Sequence, residues 1–372
     1  MESRERVLVS LSHKQPDRCP VSFGSSIVDG FTLGAKENFD KYMNYEPCPV
    51  KITHIAMGTV ETPMQVIDWI EPDFATITLK APWNEKLQIF EDDSYYDSFG
   101  VRWKRASYYY DVIERPLTGV IDKGDIKNYS WPDPYAKGRV EGLREEALAA
   151  KATGKAVLLD IPGLGPFEGG CCIRGWEDFL SDLGYDKNLA EALMDKLTEI
   201  IMGLWDVALS EIGDLVDVCA QGDDLGMQDR PIISPEMYNR GIKKYHKRMY
   251  DFINSKTRAK IFHHSCGSVY DLLPYMIETG IDILEAVQTS AAKMDVVKLK
   301  SEFGKELSFW GALDTQSLLQ NGTPEQIDEQ VKFLVQTLNV DGGYVLAPGH
   351  NIQPTVPMQN IEAMFNAFVK YR

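Results

Sequence analysis

The stretch "AKIFHHSCGSVYDLLPYMIETGIDILEAVQ", Ala259 to Gln288, decides how the rest of the chain is read. It opens with a short strand-like run, Ala259 to Cys266, continues through a helical pattern from Val269 to Thr279, and closes with a second strand-like run, Asp282 to Gln288. Two strands joined by a crossover helix make a parallel βαβ unit. The same alternation extends in both directions. Further strand candidates lie at Cys19 to Gly24, Ala75 to Ala81, Ala156 to Gly163, Leu215 to Asp224, Leu307 to Asp314 and Gly343 to His350. An opening helix is expected from Ser3 to Ser12. Later helices are expected at Trp176 to Glu211 in two pieces, Pro235 to Ser255 behind a Ser234 cap, Ala291 to Phe303, Pro324 to Leu338 behind a Thr323 cap, and Pro357 to Lys370. Eight strands of this kind, with no GxGxxG turn after an early one, favour a closed α/β barrel, the (β/α)8 TIM barrel, over an open doubly wound sheet. The whole chain, residues 1–372, reads as one such domain with an N-terminal helical extension. Residues 86–130 alternate aromatic and polar side chains and are expected as an inserted β-hairpin region or lid.

Composition narrows the function classes. With 44% apolar residues the chain can bury a large core, and its net charge of −16 comes without a clustered basic stripe. Nucleic acid is therefore excluded as an expected partner, because phosphate binding needs grouped positive charge. No apolar run approaches the roughly 18 residues of a membrane span, and the charged N-terminus does not look like a signal peptide, so a cytoplasmic enzyme with no membrane partner is expected. The six cysteines are then thiols or ligands rather than a disulfide framework. A homodimer is compatible with the sequence.

In a barrel the active site is built at the C-terminal ends of the strands. Asp160, Asp223, Asp224, His264, Cys266, Glu285, Gln288, Asp314 and His350 all fall there. Residues two apart on a strand share a side, so His264 and Cys266 converge while His263 points away. One imidazole and one thiolate make half of a zinc site, His350 supplies a third ligand across the mouth, and three protein ligands leave the open position of a catalytic zinc. A buried strand end that merely contains His and Cys is the competing reading. Asp223 and Asp224 are either an acid/base pair or, for one of them, a cap on the next helix or loop. Cys171 and Cys172 are read as lining or core residues, and Cys219 as a small buried hydrophobe. His13, His54 and His246 are expected in solvated positions among charges.

Four segments carry a resemblance: "SRERVLVSLSHKQPDRCPV" near the start, "GDDLGMQ", "HHSCGSVYDLLPYMIETGIDILEAVQ", and "GGYVLAPGHNIQPTVPMQNIEAMFNA". Together they resemble the uroporphyrinogen decarboxylase superfamily from about Ser3 to Ala367, and the resemblance implies the same (β/α)8 fold. Porphyrinogen decarboxylases hold their substrate with an arginine-rich loop; this chain has "VSFGSSIVDGF" there, a poor host for a polycarboxylate. The cobalamin-dependent methyltransferases of the superfamily hold zinc with H-x-C, matched by His264 and Cys266, and a distant cysteine, where this chain has His350. That departure makes a more Lewis-acidic zinc, suited to an ether oxygen. The chain most resembles the methyltransferase I component of bacterial aryl-ether O-demethylases. The resemblance implies zinc on the protein and cobalamin supplied by a partner corrinoid protein, since no D-x-H-x-x-G signature occurs here. It also implies a small methylated substrate, with a methylamine or thiol as the alternative to a methoxylated aromatic. Phe167, Tyr270 and Trp310 are expected to hold the ring, and Asp160, Glu168, Asp223 or Asp224 to orient it or act as acid.

Overall fold

In a computed structural model describing residues 1–46 and 49–372, one parallel sheet runs through the molecule. Its seven strands are Phe74–Ile77, Ala156–Leu159, Val218–Gly222, Lys260–His264, Ile283–Ala286, Ser308–Leu313 and Tyr344–Pro348. Each pairs with the next in chain order, so every connection is a right-length crossover rather than a hairpin. The eighth position is filled by the run around Val21. Val21 bridges Leu346 in parallel on one side, and its carbonyl accepts from Asp73 N at 2.9 Å on the other, which joins the two sheet edges. Only one bridge forms there, because Pro20 offers no N–H and the chain turns at Gly24 with φ 67°. The barrel read from the sequence is thus the fold observed.

Side chains alternate along each strand, and the two resulting sets form two apolar clusters. Leu158, Ala220, Phe262, Ile283, Trp310 and Val345 pack together inside the barrel. Their neighbours Leu159, Cys219, Ile261, Leu284, Phe309 and Leu346 pack outward against the helices. The interior is filled rather than hollow, as a barrel of this size requires. The opening helix, Ser3–Ser10, adds Val7 and Leu11 to the interior cluster and is tied by Arg4 N to Gly154 O just before a strand begins. It therefore plugs the bottom of the barrel and leaves the C-terminal mouth for chemistry.

Helix caps locate well. Thr323 and Gln326 form a reciprocal capping box at the start of Pro324–Leu338, and Ser234 accepts from Met237 N. The helix expected from Ala291 instead spans Val296–Phe303, because Asp295 accepts from Lys298 N and sets the start there. Residues 86–130 hold a three-stranded antiparallel sheet, Ser94–Tyr96, Arg102–Arg105 and Tyr110–Glu114, followed by the short helix Lys123–Asn128. No helix among the described residues is long and apolar enough to cross a membrane.

Candidate functional site

Strand parity carries straight into the mouth. Continuing the interior set beyond Leu158, Ala220, Phe262 and Ile283 by steps of two brings Asp160, Gly222 and Asp224, His264 and Cys266, and Glu285 to the inner side. The donor atoms of Asp224, His264 and Cys266 all lie within 4.8 Å of one another. His264 Nδ1 is hydrogen bonded to the fully buried Glu285 carboxylate, which fixes the ring and leaves Nε2 facing Asp224 Oδ1 at 3.6 Å. Cys266 N donates to Asp224 Oδ1 at 2.9 Å, and its Sγ lies 3.6 Å from Asp224 Oδ2. Burial works against a charged His264, yet Glu285, Cys266 and Asp224 outweigh it and raise the imidazole pKa well above its usual value. The field of the cluster therefore favours positive charge. One nitrogen, one sulfur and one carboxylate oxygen within reach of a single ion form a donor set that suits zinc, with a carboxylate orienting the histidine from behind.

His350 stands beside this group, its ring centroid 5.8 Å from that of His264. Its Nδ1 lies 3.2 Å from the Tyr109 hydroxyl, which leaves Nε2 as its remaining ring donor. Burial, with His264 nearby, lowers its pKa to about 4, which favours the neutral imidazole; its ring stands beside, and not within, the close donor group of Asp224, His264 and Cys266. Tyr109 in turn accepts from Gln353 Nε2. Sequence reading missed Tyr109, because nothing in its own loop marks it for a partner so distant in the chain.

The carboxylates separate into two groups. Asp223, of opposite parity to Asp224, points outward and is fully buried. It accepts from Phe167 N at 3.0 Å, Glu168 N at 2.6 Å and His246 Nε2 at 2.7 Å. Those bonds anchor the N-terminus of the helix Pro166–Arg174, which precedes Asp223 in the chain, so Asp223 caps an earlier helix and not the next one expected from the sequence. His246 is a correction: it is fully buried and also lies 2.9 Å from the Tyr238 hydroxyl. Its charged neighbours obscured a stripe of Tyr245, His246, Met249, Tyr250 and Ile253 on one helix face. His13 and His54 are half-buried rather than fully solvated. His263 points outward as expected and meets the Tyr250 hydroxyl.

Glu168 is held at the mouth, its Oε2 3.5 Å from Asp224 N. Burial, then Asp224 and Asp223, push its pKa up, to about 8. Asp160 is buried and accepts from Ser26 Oγ at 2.8 Å and Ile27 N at 2.9 Å; burial raises it to about 6. It thus ties down the loop over the mouth. The three aromatics are not brought together there. Phe167 is fully buried against Phe179 and Trp176. Trp310 packs on Phe74 and Phe262 inside the barrel, and Tyr270 meets Glu302, Lys298 and Phe303 on another face. The aromatic walls near Cys266 and His350 are Tyr108 and Tyr109, which line a cleft of about 340 Å³.

Residues 112–371 match the family described as uroporphyrinogen decarboxylase (URO-D). The chain belongs to this family. Among its relatives is the "Methylated-thiol--coenzyme M methyltransferase" of Methanosarcina mazei, 24% identical over 69% of this chain and 66% of that protein. Another is the methylcobamide:CoM methyltransferase MtbA of Methanosarcina acetivorans, 26% identical over 70% of this chain and 71% of that protein. Alignments with these relatives thus span about two thirds of each protein's length. In structure, this URO-D member superposes on a methyltransferase from Methanosarcina mazei with a TM-score of 0.68 at 17% identity, over 100% of this chain and 99% of that one. That likeness bears out the barrel.

Proposed function

We propose that this URO-D member is a corrinoid-dependent methyltransferase that moves a methyl group from an O-methyl substrate, a methoxylated aromatic, to cob(I)alamin on a separate corrinoid protein. The observation that carries the reading is the Asp224, His264 and Cys266 donor cluster at the barrel mouth, in a chain whose relatives bear the names of methylcobamide methyltransferases. His264, Cys266 and His350 would hold a zinc ion, with Asp224 beside His264 and Cys266 as a further oxygen donor. When bound it supplies Lewis acidity that eases departure of an oxygen leaving group.

The chain's own residues do the rest. Glu285 and Tyr109 each occupy a histidine Nδ1, which leaves the Nε2 of His264 and of His350 as the nitrogen each could offer a metal. In the transfer the O–CH3 bond breaks and the leaving oxygen keeps its electron pair, while cob(I)alamin contributes the pair for the new Co–CH3 bond. Glu168, kept protonated by its buried surroundings, donates a proton to that oxygen. The loop that would greet a polycarboxylate presents Ser25, Ser26 and the buried Asp29 instead of arginines, which argues against decarboxylation of such a substrate. A second reading, methyl transfer to or from a thiol, is favoured by the names of the relatives.

The test is to mix the purified protein with cob(I)alamin and a panel of methoxylated aromatics and follow the spectrum for methylcobalamin. Formation with an aryl ether supports the first reading. Formation only with a methylated thiol moves the assignment to the second, and none with either class refutes both.

A further inference from the structure

The helix that carries Glu168, Pro166–Arg174, has no cap of its own, because Gly165 before it offers no side chain to the first N–H groups. The cap arrives from a distant strand end as Asp223, which accepts from Phe167 N and Glu168 N. Gly165 admits it, since a Cβ there would stand 2.2 Å from Asp223 Cγ. The next residue completes the grip: Asp224 N lies 3.5 Å from Glu168 Oε2. Two consecutive residues thus hold Glu168 at its backbone and at its carboxyl.

Asp223 is itself held from behind. Both of its oxygens already accept from backbone N–H groups, so His246 meets Oδ2 through a protonated Nε2, at 2.7 Å. Its Nδ1 is then the acceptor for the Tyr238 hydroxyl, at 2.9 Å. Tyr238, His246 and Asp223 are all fully buried, where a polar group without a partner is costly, and this file of bonds supplies the partners. The neighbouring His263 takes a different hydroxyl, that of Tyr250, and leaves Asp223 to His246.

The backbone is shaped for the alignment. Tyr238 and His246 are eight residues apart, which in a regular α-helix turns one about 80° away from the other. Here Tyr238–Ile242 is wound as a π-helix, and the residue this inserts takes up the excess turn, so the two rings come within 5.7 Å.

We propose, resting on the acid role given to Glu168 above, that Tyr238 and His246 are positioning residues which, through Asp223, fix where the Glu168 carboxyl meets the leaving oxygen. They touch no substrate. A misplacement of about 1 Å at a reacting group can cost about 100-fold in rate, so bonds set well behind the mouth govern the transfer without touching the metal donors.

Three variants of the full-length protein test this. His246→Phe removes the bond to Asp223, and His246→Gln restores a donor through its own Nε2. Tyr238→Phe removes one buried hydroxyl and keeps the ring, which serves should His246→Phe fail to fold. Amide hydrogen exchange is expected to speed up in Pro166–Arg174 of His246→Phe, and less so in Tyr238→Phe, while zinc content and exchange in the rest of the barrel stay as in the native protein. His246→Gln is expected to return that helix toward the native rate. In methylcobalamin formation, His246→Phe is expected to lower kcat at least about tenfold at unchanged KM, and to add no further loss in a Glu168→Gln background. Native exchange of Pro166–Arg174 in both phenylalanine variants, or losses that multiply in the double variant, overturns the proposal. Glu168→Gln acting at the native rate refutes the acid role, and the positioning role falls with it. Methylcobalamin formed from no donor of the panel above refutes the methyltransferase reading instead, and exchange alone then decides whether Tyr238 and His246 hold that helix.

Discussion

Asp223→Ala is expected to weaken the fold and spare the metal, and Asp224→Ala, one residue on, to spare the fold and lose the metal. The magnitude follows from what each carboxylate holds. Asp223 is fully buried and accepts from two backbone N–H groups, Phe167 and Glu168, and from His246 Nε2. Alanine strands those donors away from water, at about 1–3 kcal/mol for each group left unsatisfied. Partial relaxation brings the sum to roughly 3–6 kcal/mol, a large share of the about 5–15 kcal/mol that holds a domain folded. Asp224 is half-buried and holds one backbone donor, Cys266 N at 2.9 Å, so its removal costs about 1 kcal/mol. Denaturant titration followed by circular dichroism measures the first effect, and metal analysis after dialysis against a weak chelator measures the second. If Asp223→Ala shifts the unfolding free energy by less than about 1 kcal/mol, or strips zinc as fully as Asp224→Ala does, the division of labour between the two carboxylates is refuted.

Glu285→Gln, which weakens the bond that orients His264, is expected to lower zinc affinity about 10- to 100-fold without unfolding the chain, measured by competition with a chromophoric chelator. His350→Ala is expected to release zinc, read by metal content; full retention would remove His350 from the ligand set. Gly165→Ala is expected to destabilise by about 1–3 kcal/mol or more in the same denaturant titration, because its Cβ would stand 2.2 Å from Asp223 Cγ. Asp17 is held well below the usual carboxylate range, first by its hydrogen bond from Arg6. Because its folded pKa is depressed, its contribution is present above about pH 4, the ordinary aspartate value, and is lost as pH falls further. Asp17→Asn is therefore expected to flatten the acid limb of the stability profile and to be nearly silent at pH values below it.

The barrel was legible because its strands are continuous apolar runs separated by capped helices, and each of the eight runs occupies a barrel position. Period-two reasoning also placed His264 and Cys266 on one side and His263 on the other, as observed. What escaped was anything decided by contacts between distant segments. Phe167 sits right after a strand end, where a ring-binding aromatic would be expected. It turns into the core because Asp223 fixes its backbone at the head of a helix and Phe179 and Trp176 receive its ring. Tyr109 shows the converse, since its role depends on His350 and Gln353, more than half the chain away.

The two adjacent aspartates show where sequence reading had unused information. Parity applied to His264 and Cys266 applies equally to the strand Val218–Gly222, whose interior members Val218 and Ala220 lead by twos to Gly222 and Asp224. Asp223 then falls on the outer side, facing the helices, where a carboxylate survives burial only with donors on several sides. His246 on the helix Lys243–Lys256 and the first N–H groups of Pro166–Arg174 are those donors. One strand end thus serves two faces of the sheet: its inner carboxylate lies in the donor cluster with His264 and Cys266, and its outer carboxylate holds the helix that carries Glu168 toward that cluster. A substitution exchanging their order, Asp223→Gly with Gly222→Asp, would put a carboxylate on the inner side two residues lower and leave the helix unanchored, so neither function transfers to the other face.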